Sequence, residues 1–313
     1  MNELVILGQI GPFSITAYAL CLLCGAMLAL VMTALLGKKT LGVDSALSMG
    51  MSAMLGAMIG GRLFYCATML EFILVDLGGP GFLVEPWQGG YNMYGALCGG
   101  FAGVWLYARV TKKPLGKVLD LAAPGAALAV AVGRLGEYFT SQGLGHYVED
   151  EALWMFPFSV PNLDGDYQLP VFVYAAAAAL VILAVCLCLL RKAKAGRAAE
   201  VFFTLISLCQ IFLESLRADE FIRFGFVKFN MLAAALVLGA VMFITMRRSV
   251  KLQGWSRWQI ARLVLFAVGI VVVILIEFAL DKTPIDNRIL YAVMASVLAV
   301  MGVSILKEGC AKA

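Results

Sequence analysis

The chain has 313 residues, of which 62% are hydrophobic and only 14% charged, and its mean hydropathy is +0.91. A soluble domain carries about 25% charged residues, so a soluble globular enzyme is excluded and an all-α polytopic membrane bundle is expected. The net charge of +4 says little by itself, and no nucleic-acid partner is expected. Nine apolar runs are long enough to cross about 30 Å of hydrocarbon as helices. In chain order they are 14–36, 46–68, 92–110, 117–139, 169–190, 199–216, 230–246, 259–280 and 288–306.

The loops between the runs alternate in charge. Lys38 and Lys39 follow the first run. Arg109, Lys112, Lys113 and Lys117 surround the junction of the third and fourth. Arg191, Lys192, Lys194 and Arg197 follow the fifth, and Arg247, Arg248, Lys251, Arg257 and Arg262 the seventh. The other loops are acidic or mixed. The positive-inside rule then places the N-terminus outside and the C-terminus in the cytoplasm. No cleaved signal peptide is expected, because no basic stretch precedes the first run. Two long outer segments, 69–91 and 140–168, are rich in Trp, Phe and Pro, and are expected to lie in the membrane interface. The eight cysteines lack metal-ligand spacing and read as small buried hydrophobes. No metal or cofactor is expected.

Ionisable groups inside membrane-length runs mark a functional site by default. With a rise of about 1.5 Å per residue, Arg62 lies two turns below the outer surface. Arg134 and Glu137 lie within two turns of the same surface, and Gln210, Glu214 and Arg217 end the sixth run. Glu277 is placed similarly, and Asp120 alone sits near the cytoplasmic end. A polar cluster open to the outer leaflet suits an amphiphile with a charged head and two acyl tails. Arginine's planar fork matches a phosphodiester. The bland reading is that Arg134 and Glu137, at i and i+3, only neutralise each other.

The centre of the pattern is Gly133-Arg134-Leu135-Gly136, followed by Glu137, Gln142 and Gly145. Before it come Tyr18, Gly60-Gly61-Arg62-Leu63-Phe64-Tyr65, Trp87-Gln88-Gly89-Gly90, and Asp120 with Pro124. After it come Pro170, Tyr174, Glu214, Arg217 and Asp219. In this order the motifs resemble the prolipoprotein diacylglyceryl transferases of bacterial inner membranes, over about residues 10–247. The resemblance implies seven family-like spans in a domain of residues 1–247, with residues 248–313 adding a basic inner loop and a two-helix hairpin.

It also implies an activity. A diacylglyceryl group passes from phosphatidylglycerol to the lipobox cysteine of a preprolipoprotein signal peptide, at the outer leaflet of the bacterial cytoplasmic membrane. The partners are then phosphatidylglycerol, the preprolipoprotein signal peptide and the surrounding membrane lipids. Arg134, Glu137 and Tyr94 are the candidate catalytic residues. Arg62, Gly136, Gly145, Tyr18, Gln142, Glu214 and Arg217 are the candidate substrate-binding residues.

Several family positions differ. Tyr94 stands where the family has histidine, Glu137 where it has asparagine, and Gln142 where it has glutamate. Ile206 and Gln210 replace a tyrosine and an arginine, and Leu169 replaces the histidine before Pro170. The thiolate is the nucleophile, so a base is required, and Glu137, Tyr94 and the single histidine, His146, are the candidates. His146 also reads as a solvated loop residue. The alternatives are a transferase of the same fold with another acceptor or head group, and a phospholipid-binding protein without catalysis. An unrelated secondary transporter is a further alternative; it predicts inverted repeats, and none is visible.

Overall fold

The computed structural model describes residues 5–11, 13–75, 81, 85, 89–140, 142–162, 164–192, 194–218, 223–224 and 227–310. A short antiparallel hairpin, β1 (Ile6–Ile10) and β2 (Phe13–Thr16), leads directly into α1 (Ala17–Gly37). Thr16 caps that helix, its hydroxyl accepting from the Ala19 N–H at 3.1 Å. Then come α2 (Val43–Thr68), the short α3 (Leu70–Val75), α4 (Met93–Val110) and α5 (Leu115–Gly136). A 3-10 turn, Glu137–Thr140, continues α5. After a loop with the paired β3 (Val160–Pro161) and β4 (Tyr167–Gln168) come α6 (Val171–Lys192) and α7 (Arg197–Leu216). The hairpin of β5 (Arg223–Phe224) and β6 (Val227–Lys228) leads to α8 (Phe229–Gln253), α9 (Arg257–Lys282) and α10 (Asn287–Cys310).

Every apolar run of the sequence carries a long helix. Among the described residues eight helices are long and apolar enough to cross a membrane, and many of their large apolar side chains, such as Leu23, Val31 and Leu35 of α1, are exposed. The protein is therefore an all-α, multi-pass membrane protein. The exception among the nine runs is α4. It has 18 residues, about 27 Å at the usual rise, and Gly95, Gly99, Gly100, Gly103 and Arg109 lower its hydropathy.

The chain divides into two compact units, Met1–Ala199 and Glu200–Ala313. In the first, α2 and α4 meet through small residues. A Cβ on Gly99 would collide with the carbonyl of Gly56, and one on Gly103 with that of Ser52. Such small-residue stripes let backbones touch where no hydrophobic effect drives helices together. The central helix of this unit is α5, which packs against α1, α2, α4 and α6. Near its start Asp120 reaches the N-terminus of α7: its carboxylate accepts from Gly196 N–H at 2.6 Å and Ala199 N–H at 2.9 Å. The carboxylate thus satisfies donors that a helix leaves open at its first turn.

In the second unit α8, α9 and α10 pack with the body of α7. Leu208 of α7 lies against Gly302 of α10, and Phe212 meets Tyr291 edge-on at 6.2 Å.

Candidate active site

Arg62, Arg134 and Glu137 are buried at one end of the first unit. There α2 and α5 finish, and α1, α4 and α6 begin. Asn92 joins two of these ends: its main-chain N–H donates to Gly61 O at 3.0 Å, and its side chain caps α4 by accepting from Tyr94 N–H at 2.8 Å. Arg62, buried beside this junction, turns its fork onto main-chain carbonyls. Nη1 donates to Gly89 O and, at 3.3 Å, to Gly90 O, while Nη2 donates to Glu85 O at 3.0 Å. Its guanidinium also lies 5.9 Å from the centre of the Tyr91 ring. Arg62 thus anchors the segment that leads into α4.

Arg134 and Glu137 meet as their i, i+3 spacing predicts. Arg134 Nη1 lies 2.5 Å from Glu137 Oε1, and the residues are 7% and 8% exposed. Arg134 Nη2 faces the Met93 thioether sulfur, at 3.1 Å, on the first residue of α4. Tyr94, the next residue, is fully buried.

The remaining first-unit candidates frame this pair. Gly136 faces Tyr18 and Cys21 of α1: a Cβ there would come within 3.1 Å of the Tyr18 ring and 2.7 Å of Cys21 Cβ. Gly143 holds a positive φ of +74°, and a Cβ on it would run into the Glu137 carboxylate and, at 2.9 Å, Phe172 Cβ. Main-chain bonds tie the signature to the start of α6: Gly145 N–H to Leu169 O at 2.8 Å and Phe172 N–H to Gly143 O at 2.9 Å. Gly145 is buried, whereas Gln142 and His146 are exposed. Trp87, Gln88 and Asp219 lie outside the described residues.

The second unit holds Glu214 and Arg217, both buried, at the end of α7. Glu214 accepts from Gln210 Nε2 and, at 3.0 Å, from Asn230 Nδ2 of α8. Lys228 donates to the carbonyls of Glu214, at 2.8 Å, and Arg217.

Met93, Lys228 and Asn230 escaped the sequence reading. For Lys228 a signal existed: it directly precedes an apolar run, in a loop that the charge pattern of the sequence assigns to the outside, where the positive-inside rule expects no lysine. Met93 carried no signal, because a methionine opening an apolar run reads as packing.

A family model for prolipoprotein diacylglyceryl transferase matches residues 5–274. The chain belongs to this family. It is similar to the phosphatidylglycerol–prolipoprotein diacylglyceryl transferase of Streptococcus uberis, 28% identical over 250 residues, which are 78% of this chain and 95% of that protein. The enzyme of the same name from Streptococcus pneumoniae serotype 4 is 29% identical over 246 residues, 77% of this chain and 93% of that one. The one from Mycobacterium bovis is 30% identical over 262 residues, 75% of this chain and 54% of that longer protein. As a member of the family the chain is a membrane transferase.

Proposed function

We propose that this protein transfers a diacylglyceryl group from phosphatidylglycerol to the lipobox cysteine of a preprolipoprotein signal peptide, at the outer leaflet of the bacterial cytoplasmic membrane. The observation that carries the reading is the buried Arg134–Glu137 pair, a cation and a carboxylate held together at the helix ends of the first unit. The thiolate attacks the terminal glyceryl carbon of the diacylglycerol moiety and forms a carbon–sulfur bond. The carbon–oxygen bond to phosphate breaks, and glycerol phosphate leaves with the electron pair.

Arg134 stabilises the charge on that leaving group through charge-assisted hydrogen bonds. Glu137 takes the thiol proton; its carboxylate stands beside the arginine that the phosphate engages, so lipid and base share one locus. Tyr94, at the start of α4, is a wall of that locus, and Tyr18, Gly136 and Gly145 shape it. Arg62 serves through the segment it anchors rather than by direct contact, since its fork is spent on three carbonyls. Exposed Gln142 meets the incoming peptide. Helices through α8 make up the family-like domain of residues 1–247, and residues 248–313 are an addition to it. The basic loops of the first unit lie at the opposite helix ends from Arg134, which supports an outer-leaflet site.

The test is release of glycerol phosphate from phosphatidylglycerol by purified protein in detergent, with and without a lipobox peptide. Peptide-dependent release supports the reading. Lipid binding without release by folded protein contradicts it.

A further inference from the structure

The loop between α5 and α6 holds a small antiparallel sheet that the proposed reaction leaves without a role. Its middle strand is β4. On one side β4 pairs with β3, and on the other with the segment 145–148, through the bridge of Tyr147 with Gln168. Leu169 N–H donates to His146 O at 3.1 Å, and Val148 N–H to Tyr167 O at 2.8 Å. These two bonds flank Tyr147, which is therefore a non-hydrogen-bonded position of the ladder, and its own N–H and C=O turn the other way. Among the described residues no strand covers that edge, and Tyr147 is 62% exposed. Trp154 fixes the end of the segment: its indole N–H donates to Val148 O at 2.8 Å, and its ring stacks on Tyr167 with 4.7 Å between centres.

The two edges of this sheet differ. β3 carries Pro161, and a proline, which has no N–H to give, blunts an edge. The Tyr147 edge, Gly145-His146-Tyr147-Val148, has none. It also leads straight out of the candidate active site. Gly143, two residues before it, is packed on the Glu137 carboxylate and on Phe172 of α6. An extended chain advances about 3.3 Å per residue, so Tyr147 lies at most about 13 Å beyond Gly143.

We propose that the 145–148 edge receives the incoming peptide as an added strand: residues just after the lipobox cysteine pair with the Tyr147 main chain while the cysteine lies at Glu137. The inference rests on the reading of this chain as a preprolipoprotein transferase with Glu137 as the base. In that reading the residues after the cysteine leave the membrane on the outer side, where this loop lies. Strand addition draws its affinity from main-chain hydrogen bonds, so it holds the peptide in register without reading the side chains beyond the cysteine.

The experiment measures glycerol phosphate release by the full chain over a range of peptide concentrations. Each lipobox peptide carries one N-methyl group on a main-chain nitrogen, moved in turn from the second to the fifth residue after the cysteine. Successive N–H groups of a strand point to opposite sides. The KM for peptide therefore rises about tenfold where the blocked N–H faces Tyr147 C=O, and stays within about threefold at the residues on either side. A uniform rise at all positions, or none at any, overturns the proposal. On the protein side, Tyr147→Pro removes the outward N–H and keeps the ladder bonds of His146 and Val148, as a proline on an edge strand does. It raises the KM for peptide and leaves the KM for lipid unchanged, whereas Tyr147→Ala, which keeps the N–H, changes neither. An unchanged peptide KM in folded Tyr147→Pro, or an equal rise in Tyr147→Ala, overturns the proposal. Wild-type protein that releases no glycerol phosphate with the unmodified peptide fails the functional reading itself, and the proposal with it. That failure is distinguishable because it appears before any modified peptide or variant is compared.

Discussion

The Arg134 guanidinium and the Glu137 carboxylate stand 2.5 Å apart with both side chains buried. Each charge is the reason the other can be there. Removing one partner of a buried pair leaves an uncompensated charge and costs about 3–5 kcal/mol, whereas replacing both with apolar residues is often neutral. Arg134→Met and Glu137→Met are each expected to destabilise the protein in detergent unfolding. The double variant should recover most of that stability but none of the activity. Recovery of stability without activity separates the chemical role of the pair from its structural one; an active double variant would exclude both residues from the chemistry.

Arg62 donates to three carbonyls, a geometry that a lysine cannot reproduce with its compact ammonium. Arg62→Lys keeps the charge and loses the fork. Amide exchange in peptides carrying Glu85 and Gly89 is expected to speed up, and transferase activity to fall, with little change in exchange along α5. Unchanged exchange at Glu85 and Gly89 would remove the anchoring role.

The contact between α2 and α4 makes a sharp contrast inside one helix. Gly99→Ala drives a methyl into the Gly56 carbonyl, while a methyl at the neighbouring Gly100 finds Ala53 O at an ordinary 3.5 Å. Overpacking of this kind costs about 1–3 kcal/mol, so Gly99→Ala should be clearly less stable than Gly100→Ala. It should also be less active, because α4 carries Met93 and Tyr94. Equal stability of the two variants would show that the helices part easily.

Asp120 is a buried carboxylate with a structural duty. Asp120→Ala removes the cap on the first turn of α7 and is expected to cost about 1 kcal/mol, in line with other lost N-caps. The unfolding midpoint should fall while the KM for lipid in the remaining folded protein is unchanged. A raised KM would instead assign Asp120 to the site.

Much of this was readable without coordinates, for physical reasons. Membrane helices must be apolar over a fixed length, so the nine runs locate the helices, and only α4 falls short because its glycines serve packing rather than hydropathy. The Arg134–Glu137 contact was readable because three residues along a helix is contact distance. What tertiary structure adds is the use to which a charge is put. Arg62 reads as a phosphate ligand in sequence and is found on the carbonyls of a segment 23 to 28 residues away. Asp120 reads as a stray membrane charge and is found capping a helix 76 residues on. Main-chain carbonyls and N–H groups carry no residue identity, so partners of this kind leave no trace in the letters.

The most direct test of the central claim is glycerol phosphate release by wild type and Arg134→Ala, measured side by side with phosphatidylglycerol and a lipobox peptide. The account predicts release that requires the peptide and falls by about 100-fold or more in the variant, the usual cost of losing a group that stabilises transition-state charge. Equal release by the two proteins would contradict it.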